Sequence, residues 1–397
     1  MDRLECPFCG IKKPLDVFDP FCSRCGEPML ISYPRLIRRF HPEKALSLEK
    51  YREYLPISRV DIKLSQGEGG TPLAPLERLR RKWSLPPLFA KNETMNPTQS
   101  FKDRGTAVAI QKAAALGIKK IGTVSTGNMA ASTAAYGAKA GLEVFIFLKE
   151  DSTPEKIRST GIHGAVLFKV RGDYGRLFDE SYEIGRRHGI YFINSVDPLR
   201  IEGYKVTGYE IYGQLENRLP RLLFCPVSSG GHLIGLMRAF LDLKEDGIIR
   251  DLPIFVGVQA AGCAPLARAF ARGDEKFRRV LKTDTIAHAI SNPAPPAGNL
   301  LLKWLRETGG MIIQVTDREI LAAQRELAEM EGIFADPASA TTLAGLIKLS
   351  KKRHILLRGE IVLVITGSGL KSMETLKRQN ILVRSTSLTA LEKMPRF

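Results

Sequence analysis

Asn96-Pro97-Thr98-Gln99-Ser100-Phe101-Lys102-Asp103-Arg104-Gly105 reads as a turn that delivers one lysine to the start of a helix. The Asn-Pro step breaks whatever precedes it, and Ser100 is the expected N-cap. The alanine-rich run from Asp103 to Leu116 is a helix closed by Gly117 as its C-terminal cap. A lysine held there, out of water and at the positive end of a helix, is kept partly neutral, as imine formation with a pyridoxal aldehyde requires. Taken alone, Ser100-Phe101-Lys102 is better read as a surface lysine opening an amphipathic helix. The rest of the chain has to decide.

Working outward, short apolar runs alternate with amphipathic, alanine-rich segments. Ile121 to Val124, Val144 to Leu148, Leu222 to Cys225, Ile254 to Val258 and Ile361 to Ile365 are bounded by polar or glycine-rich residues and read as strands buried on both faces. Asn128 to Ala140, Tyr174 to His188, Gly231 to Lys244, Asp317 to Glu331 and Pro337 to Lys351 read as the helices between them. The pattern is that of an α/β protein with a parallel sheet flanked by helices. From Leu30 to Arg59 the sequence is a proline-bearing linker with one expected helix around His41 to Tyr54. The tail after Lys377 carries Ile381-Leu382-Val383 without a clear period.

At the N-terminus, Cys6-x-x-Cys9-Gly10 and Cys22-x-x-Cys25-Gly26 form two knuckles at the spacing of a small zinc ribbon. Each pair offers two thiolates to one metal, and the glycine permits a tight turn whose N–H groups face the sulfurs. Cys6, Cys9, Cys22 and Cys25 are therefore expected to hold one structural Zn²⁺, with no coordination position left for catalysis. Cys225 and Cys263 sit alone in apolar surroundings, where a reduced buried thiol is the default.

The chain has 397 residues, enough for roughly two to three units of ordinary domain size. No apolar run reaches the length of a membrane span, and Met1-Asp2-Arg3-Leu4-Glu5-Cys6 lacks the basic start and apolar core of a signal peptide, so a cytoplasmic protein is expected. The net charge of +17 attracts anions. Its clusters, Arg35 to Arg39, Arg78 to Lys82 and Lys351 to Arg353, are short, scattered and free of interleaved aromatic residues. That distribution fits solvated helix faces and an anionic substrate better than nucleic acid.

In open α/β sheets ligands gather at the C-terminal ends of strands. Ser125-Thr126-Gly127-Asn128 follows one predicted strand, Ser228-Ser229-Gly230-Gly231-His232 a second and Thr366-Gly367-Ser368-Gly369 a third. The glycines of the second allow close approach of backbone N–H groups to an anion at a helix N-terminus. That loop lacks the Gly-Lys-Ser/Thr of a P-loop and has too few glycines for a dinucleotide fingerprint, which disfavours nucleotides.

From Cys6 to about Lys371 the chain resembles the threonine synthases. The motif around Lys102 is similar to their pyridoxal lysine motif, Ser125 to Asn128 to their asparagine loop, and Ser228 to His232 to their cofactor phosphate loop. Phe334-Ala335-Asp336-Pro337-Ala338-Ser339-Ala340 and Thr366-Gly367-Ser368-Gly369-Leu370-Lys371 resemble two late motifs, and many members also begin with paired Cys-x-x-Cys-Gly knuckles. The resemblance implies the tryptophan synthase β fold, PLP fold type II, with pyridoxal 5′-phosphate between two α/β domains. The implied division is a zinc ribbon at 1–30, a linker and first part of the large domain at 31–100, a small domain at 101–190, and the rest of the large domain at 191–397.

It further implies that Lys102 carries the cofactor and shuttles protons, that Asn128 meets its phenolic oxygen, and that Ser228, Ser229, Gly230, Gly231 and His232 hold its phosphate. Thr366 would meet the pyridine nitrogen; a neutral hydroxyl there moderates the electron sink and favours elimination and replacement over transamination. Ser125 and Thr126 would seat the substrate carboxylate. Asn194-Ser195-Val196-Asp197-Pro198-Leu199-Arg200 resembles the segment that grips the substrate phosphate through Asn194, Ser195 and Arg200, the arginine offering a planar fork. The implied reaction is O-phospho-L-homoserine plus water to L-threonine plus phosphate, in threonine biosynthesis. Four positions depart from the family pattern: Gln99 for glycine, Met129 for a phosphate-binding threonine, His232 for asparagine and Ser368 for histidine. The alternatives are a related lyase, either a serine/threonine dehydratase or an O-phosphoserine β-replacement enzyme, and, more remotely, a zinc-ribbon nucleic-acid-binding protein. The resemblance leaves a homodimer open.

Overall fold

Chain order runs from a small antiparallel ribbon into two parallel sheets. The computed structural model describes residues 2–32, 40–41, 43–172, 174–351, 358–379 and 387. The cluster Arg35 to Arg39, Lys352, Arg353 and Ile381-Leu382-Val383 lie outside the described residues. The ribbon holds β1 (Arg3–Glu5), β2 (Lys12–Pro14) and β3 (Leu30–Ser32), and a one-turn helix α1 (Ser47–Lys50) follows. Next come β4 (Leu73–Pro75), α2 (Glu77–Lys82), β5 (Leu88–Asn92) and α3 (Lys102–Ala115). An alternating run contains β6 (Lys120–Val124), α4 (Asn128–Lys139), β7 (Glu143–Lys149), α5 (Pro154–Gly161), β8 (Val166–Val170), α6 (Tyr174–His188) and β9 (Ile190–Phe192). After α7 (Pro198–Gln214) come β10 (Leu222–Pro226), α8 (Gly231–Glu245), β11 (Ile254–Ala260), α9 (Pro265–Arg272) and α10 (Gly298–Glu307). The last described elements are β12 (Met311–Val315), α11 (Asp317–Glu331), α12 (Pro337–Ser350) and β13 (Ile361–Ile365).

One sheet has the order β8-β7-β6-β9, parallel throughout. The other has the order β12-β11-β10-β13-β5-β4, with β4 alone antiparallel, on β5. Alternation along its central strands separates two apolar cores. Leu223, Cys225, Val362 and Val364 face one, with residues of α7, α8 and α10; Leu222, Phe224, Ile361, Leu363 and Ile365 face the other, with α11 and α12. Because both faces are covered, these strands read as unbroken apolar runs, and each large side chain contributes about 1.5–3 kcal/mol.

Two local expectations are corrected. Ser100 is not the N-cap of α3: Phe101 holds that position without a side-chain cap, and Ser100 pairs its backbone with Gly367 while its buried hydroxyl has no partner. The first turn is tied instead by Asp103, whose carboxylate accepts from Thr98 N and Oγ1, both at 2.6 Å. The helix expected around His41 to Tyr54 is divided into α1 and a 3-10 turn at Arg52–Tyr54, separated by Tyr51 at φ −112°. In addition, α7 was not among the expected helices: every residue from Pro198 to Tyr212 is buried, so no amphipathic stripe announces it. Gly117 does end α3, at φ +70°.

The basic run Arg78 to Lys82 lies in α2, and Arg78, Arg80 and Lys82 are engaged by the protein. Arg78 donates to the carbonyls of Glu329 and Met330, Arg80 pairs with Glu77, and Lys82 with Glu326. Among the described residues, no helix is long and apolar enough to cross a membrane.

Candidate active site

In the larger sheet β10, β13 and β5 are neighbours, so the loops at their C-terminal ends are neighbours too. The β5 loop leads to Lys102, the β13 loop begins with Thr366, and the β10 loop is Ser228 to Gly230. Hydrogen bonds join the first two: Phe101 N donates to Thr366 O at 3.0 Å and Ser368 N to Gln99 O at 3.1 Å. Gln99 holds a left-handed φ of +57°, which explains why glycine is the residue expected there. Asn128 comes from the other sheet. A Cβ on Gly367 would lie 3.0 Å from Asn128 Nδ2 and 2.8 Å from Asp336 Oδ2, so glycine alone permits this approach.

Lys102 opens α3 with its Nζ 4.3 Å from the Phe101 ring centre and 6.0 Å from that of Tyr204. Burial, and then the Arg200 guanidinium, lower its amine to about 7. The His232 ring stacks on Phe101 at 3.8 Å, and its Nδ1 lies 3.5 Å from Cys225 Sγ. Burial pushes that imidazole well below its usual range, so it is neutral, and its buried Nε2 has no partner. Gly230 has φ +98°, and a Cβ on Gly231 would lie 2.7 Å from Ser195 O. The Asn194-Ser195 turn is thereby packed on the Ser228 to His232 loop. Thr366 Oγ1 lies 2.9 Å from Ser339 Oγ. Ser125 is buried, while Thr126, Asn128, Ser195 and Ser228 are half-buried.

Asn194 and Arg200 differ from the expectation. Asn194 Oδ1 accepts from Val124 N at 2.9 Å and Thr123 Oγ1 at 3.2 Å, and its Nδ2 donates to Ser181 Oγ at 2.9 Å. Its amide clamps β6 to α6. The wholly buried Arg200 donates to Tyr204 Oη at 3.1 Å, Thr106 Oγ1 at 2.9 Å and the Lys102 carbonyl at 3.3 Å. Its fork is turned inward, against α3.

A model of the family described as "Pyridoxal-phosphate dependent enzyme" matches residues 64–367. The threonine synthase of Methanosarcina acetivorans is 36% identical over 384 residues, 94% of this chain and 93% of that one. The chain belongs to the threonine synthase family of pyridoxal-phosphate dependent enzymes. The threonine synthase of Methanocaldococcus jannaschii is 35% identical over 374 residues, 92% of each chain. Among solved structures, threonine deaminase isoform 2 from Solanum lycopersicum superposes with a TM-score of 0.66 at 19% identity, over 78% of this chain and 81% of that one. An L-serine ammonia-lyase from Rhizomucor miehei gives 0.65 at 20% identity, over 79% and 99%. These two likenesses show the fold, which is PLP fold type II.

The three loops and the residues around Lys102 carry the groups that the family's cofactor needs. A near-neutral buried amine, an orphaned buried imidazole nitrogen and a glycine loop opening the 15-residue α8 suit an aldehyde and a phosphate on one ring. The four ribbon sulfurs likewise lie within 4.8 Å of one another. The knuckles repeat one backbone pattern: Gly10 N donates to Cys6 O at 3.0 Å and Gly26 N to Cys22 O at 2.9 Å. All six cysteines are free thiols.

Sequence reasoning missed the polar core behind the site. Glu210 accepts from Arg104 Nη1 and Nη2 at 2.8 and 2.7 Å, Lys91 Nζ at 2.6 Å and Ser47 Oγ at 2.6 Å, while Glu93 holds the Nε of Arg104 at 2.6 Å. The signal available was charge inside otherwise apolar runs, Lys91 in β5 and Glu210 in α7. It missed also Lys371, whose Nζ donates to Thr98 O between Asp103 and Asp336.

Proposed function

We propose that this chain is a threonine synthase, converting O-phospho-L-homoserine and water to L-threonine and phosphate. Lys102 carries the reading: an amine near neutrality where three strand-end loops meet, in a chain whose curated relatives at 33% to 36% identity are threonine synthases. Bound to Lys102, pyridoxal 5′-phosphate would supply an electron sink for charge developing on the substrate's carbons. Asn128 would meet its phenolic oxygen, Thr366 its pyridine nitrogen, and Ser228, Ser229, Gly230, Gly231 and His232 its phosphate. Ser125 and Thr126 would seat the substrate carboxylate.

Once released by substrate, the Lys102 amine would take the α proton and then a β proton. Phosphate would then leave from the γ carbon, the amine would return one proton to the γ carbon and the other to the α carbon, and water would add its hydroxyl at the β carbon with its proton going to the released phosphate. In the expected substrate-phosphate segment, Ser195 would donate directly. Asn194 and Arg200 would form the wall behind it, with Arg200 supplying positive potential. We assign one structural Zn²⁺ to Cys6, Cys9, Cys22 and Cys25, a domain division at the boundaries expected from sequence, a cytoplasmic location and a capacity to form a homodimer.

The test is a substrate panel of O-phospho-L-homoserine, L-threonine, L-serine and O-phospho-L-serine with phosphate, ketoacid and amino-acid readouts. Threonine and phosphate should form in equal amounts from the first. Ketoacid without threonine would contradict the assignment and favour a dehydratase.

A further inference from the structure

α3 and α7 touch near their N-terminal ends, with the Tyr204 ring of α7 set directly against Gly105. A Cβ on Gly203 would lie 2.3 Å from the Arg104 carbonyl oxygen, and one on Gly105 2.9 Å from that of Arg200. This approach carries the Arg200 guanidinium into the first turn of α3, where its Nη2 donates to the Lys102 carbonyl at 3.3 Å. Thr106 Oγ1, which accepts from Arg200 Nη1 at 2.9 Å, donates to the same carbonyl at 2.9 Å. The main chain of Lys102 is held from two sides.

Among the described residues, no carboxylate lies at ion-pair distance from this wholly buried guanidinium. The nearby Asp197 is committed to the amide N–H of Arg200 at 3.0 Å and the hydroxyl of Tyr191 at 2.7 Å. A buried cation bound only to neutral groups is costly to maintain. The Lys102 amine shares its neighbourhood: Arg200 Cζ and Lys102 Nζ each lie 6.0 Å from the centre of the Tyr204 ring.

We propose that Arg200 is a positioning residue for Lys102: it fixes the lysine's main chain at the helix start and sets an unpaired positive charge beside the amine, which holds that amine in its neutral, reactive form. The inference rests on the reading of Lys102 as the cofactor's lysine. The other groups around the amine do not oppose it. Tyr204 of α7, Cys225 of β10 and His232 of α8 are neutral at ordinary pH, because burial raises the phenol and the thiol and lowers the imidazole. On α3 itself, Arg104 is paired with Glu93 and Glu210, and Asp103 is bonded to Thr98 beside Lys371 from the Thr366 loop. A contact with substrate phosphate alone would change KM and leave the lysine's proton equilibrium where it was.

The experiment is a pH titration of the visible absorbance of the lysine–cofactor linkage in the holoenzyme, for wild type, Arg200→Met and Arg200→Lys. Loss of the cation should move the midpoint up by about one pH unit, roughly tenfold in the proton equilibrium, and Arg200→Lys should restore most of the shift. An unchanged midpoint in Arg200→Met, or an Arg200→Lys midpoint as displaced as that of Arg200→Met, would overturn the proposal. If Arg200→Met does not fold, Arg200→Gln decides, since it removes the charge and keeps an amide donor for the groups that Arg200 holds: an upward shift supports the proposal and no shift overturns it. Absence of any visible band in wild type would overturn the reading of Lys102 and this inference with it.

Discussion

Lys102 was legible in the sequence because a turn, a helix start and a lysine are all local features. The inward turn of Arg200 was not, because it depends on Gly105 meeting a helix that begins nearly a hundred residues later. From the sequence, an arginine after an Asn-Ser pair looks like a fork offered to an anion; in the structure the same fork is satisfied by Tyr204, Thr106 and a carbonyl. Asp336 shows the same limit. It reads as part of a late motif, and in the fold burial raises its carboxyl to about 6 although its side chain caps Ser339 N at 2.7 Å. Between about pH 4 and 6 the folded chain then holds a proton that the unfolded chain releases, so this group's stabilising contribution is present at low pH and lost as pH rises through 6. The lost contribution is about 3 kcal/mol. Asp336→Asn keeps a good cap and removes the ionisation. Urea midpoints should therefore favour the variant increasingly from pH 5 to pH 8, and a pH-independent gap would show that this carboxyl is not raised.

At the scale of elements, strands and amphipathic helices were readable wherever one periodicity dominated. The runs Ile361 to Ile365 and Tyr174 to His188 are found as strand and helix with the expected bounds. α7 was not read, because it is covered on all sides and carries Arg200, Glu202, Lys205 and Glu210 inside the protein. Those charges look like a solvated face until their partners arrive from elsewhere: Asp242 for Lys205, and Arg104 and Lys91 for Glu210. Burial opposes ionisation of Glu210, but Arg104 and Lys91 outweigh it and hold the carboxyl well below its usual range. Glu210→Gln would leave two buried cations under-compensated, and we expect it to cost about 3–5 kcal/mol in urea unfolding. A loss below about 1 kcal/mol would show that the cluster tolerates the missing charge.

Across the whole molecule, the ribbon touches both sheets' surroundings, which no local pattern could announce. Asp2 accepts from Lys112 of α3, and Phe21 meets Tyr182 of α6 edge-on at 5.1 Å. On the other side Lys303 of α10 donates to Pro7 O at 2.9 Å and Arg238 of α8 to Ile31 O at 2.9 Å. Yet the four cysteines stand apart from the candidate site residues, all of which follow Lys91 in the chain. Cys22→Ser should lower zinc content more than about tenfold and loosen the first thirty or so residues to proteolysis, with cofactor absorbance close to wild type. Loss of the cofactor's visible band in otherwise folded protein would make the ribbon part of the active site. The claim on which the rest depends is that loops from three neighbouring strands, with Asn128 from the second sheet, place the cofactor on Lys102. Borohydride reduction of the holoenzyme followed by peptide mapping tests it most directly. The account expects the reduced cofactor on the peptide containing Lys102; a label on any other lysine would contradict it.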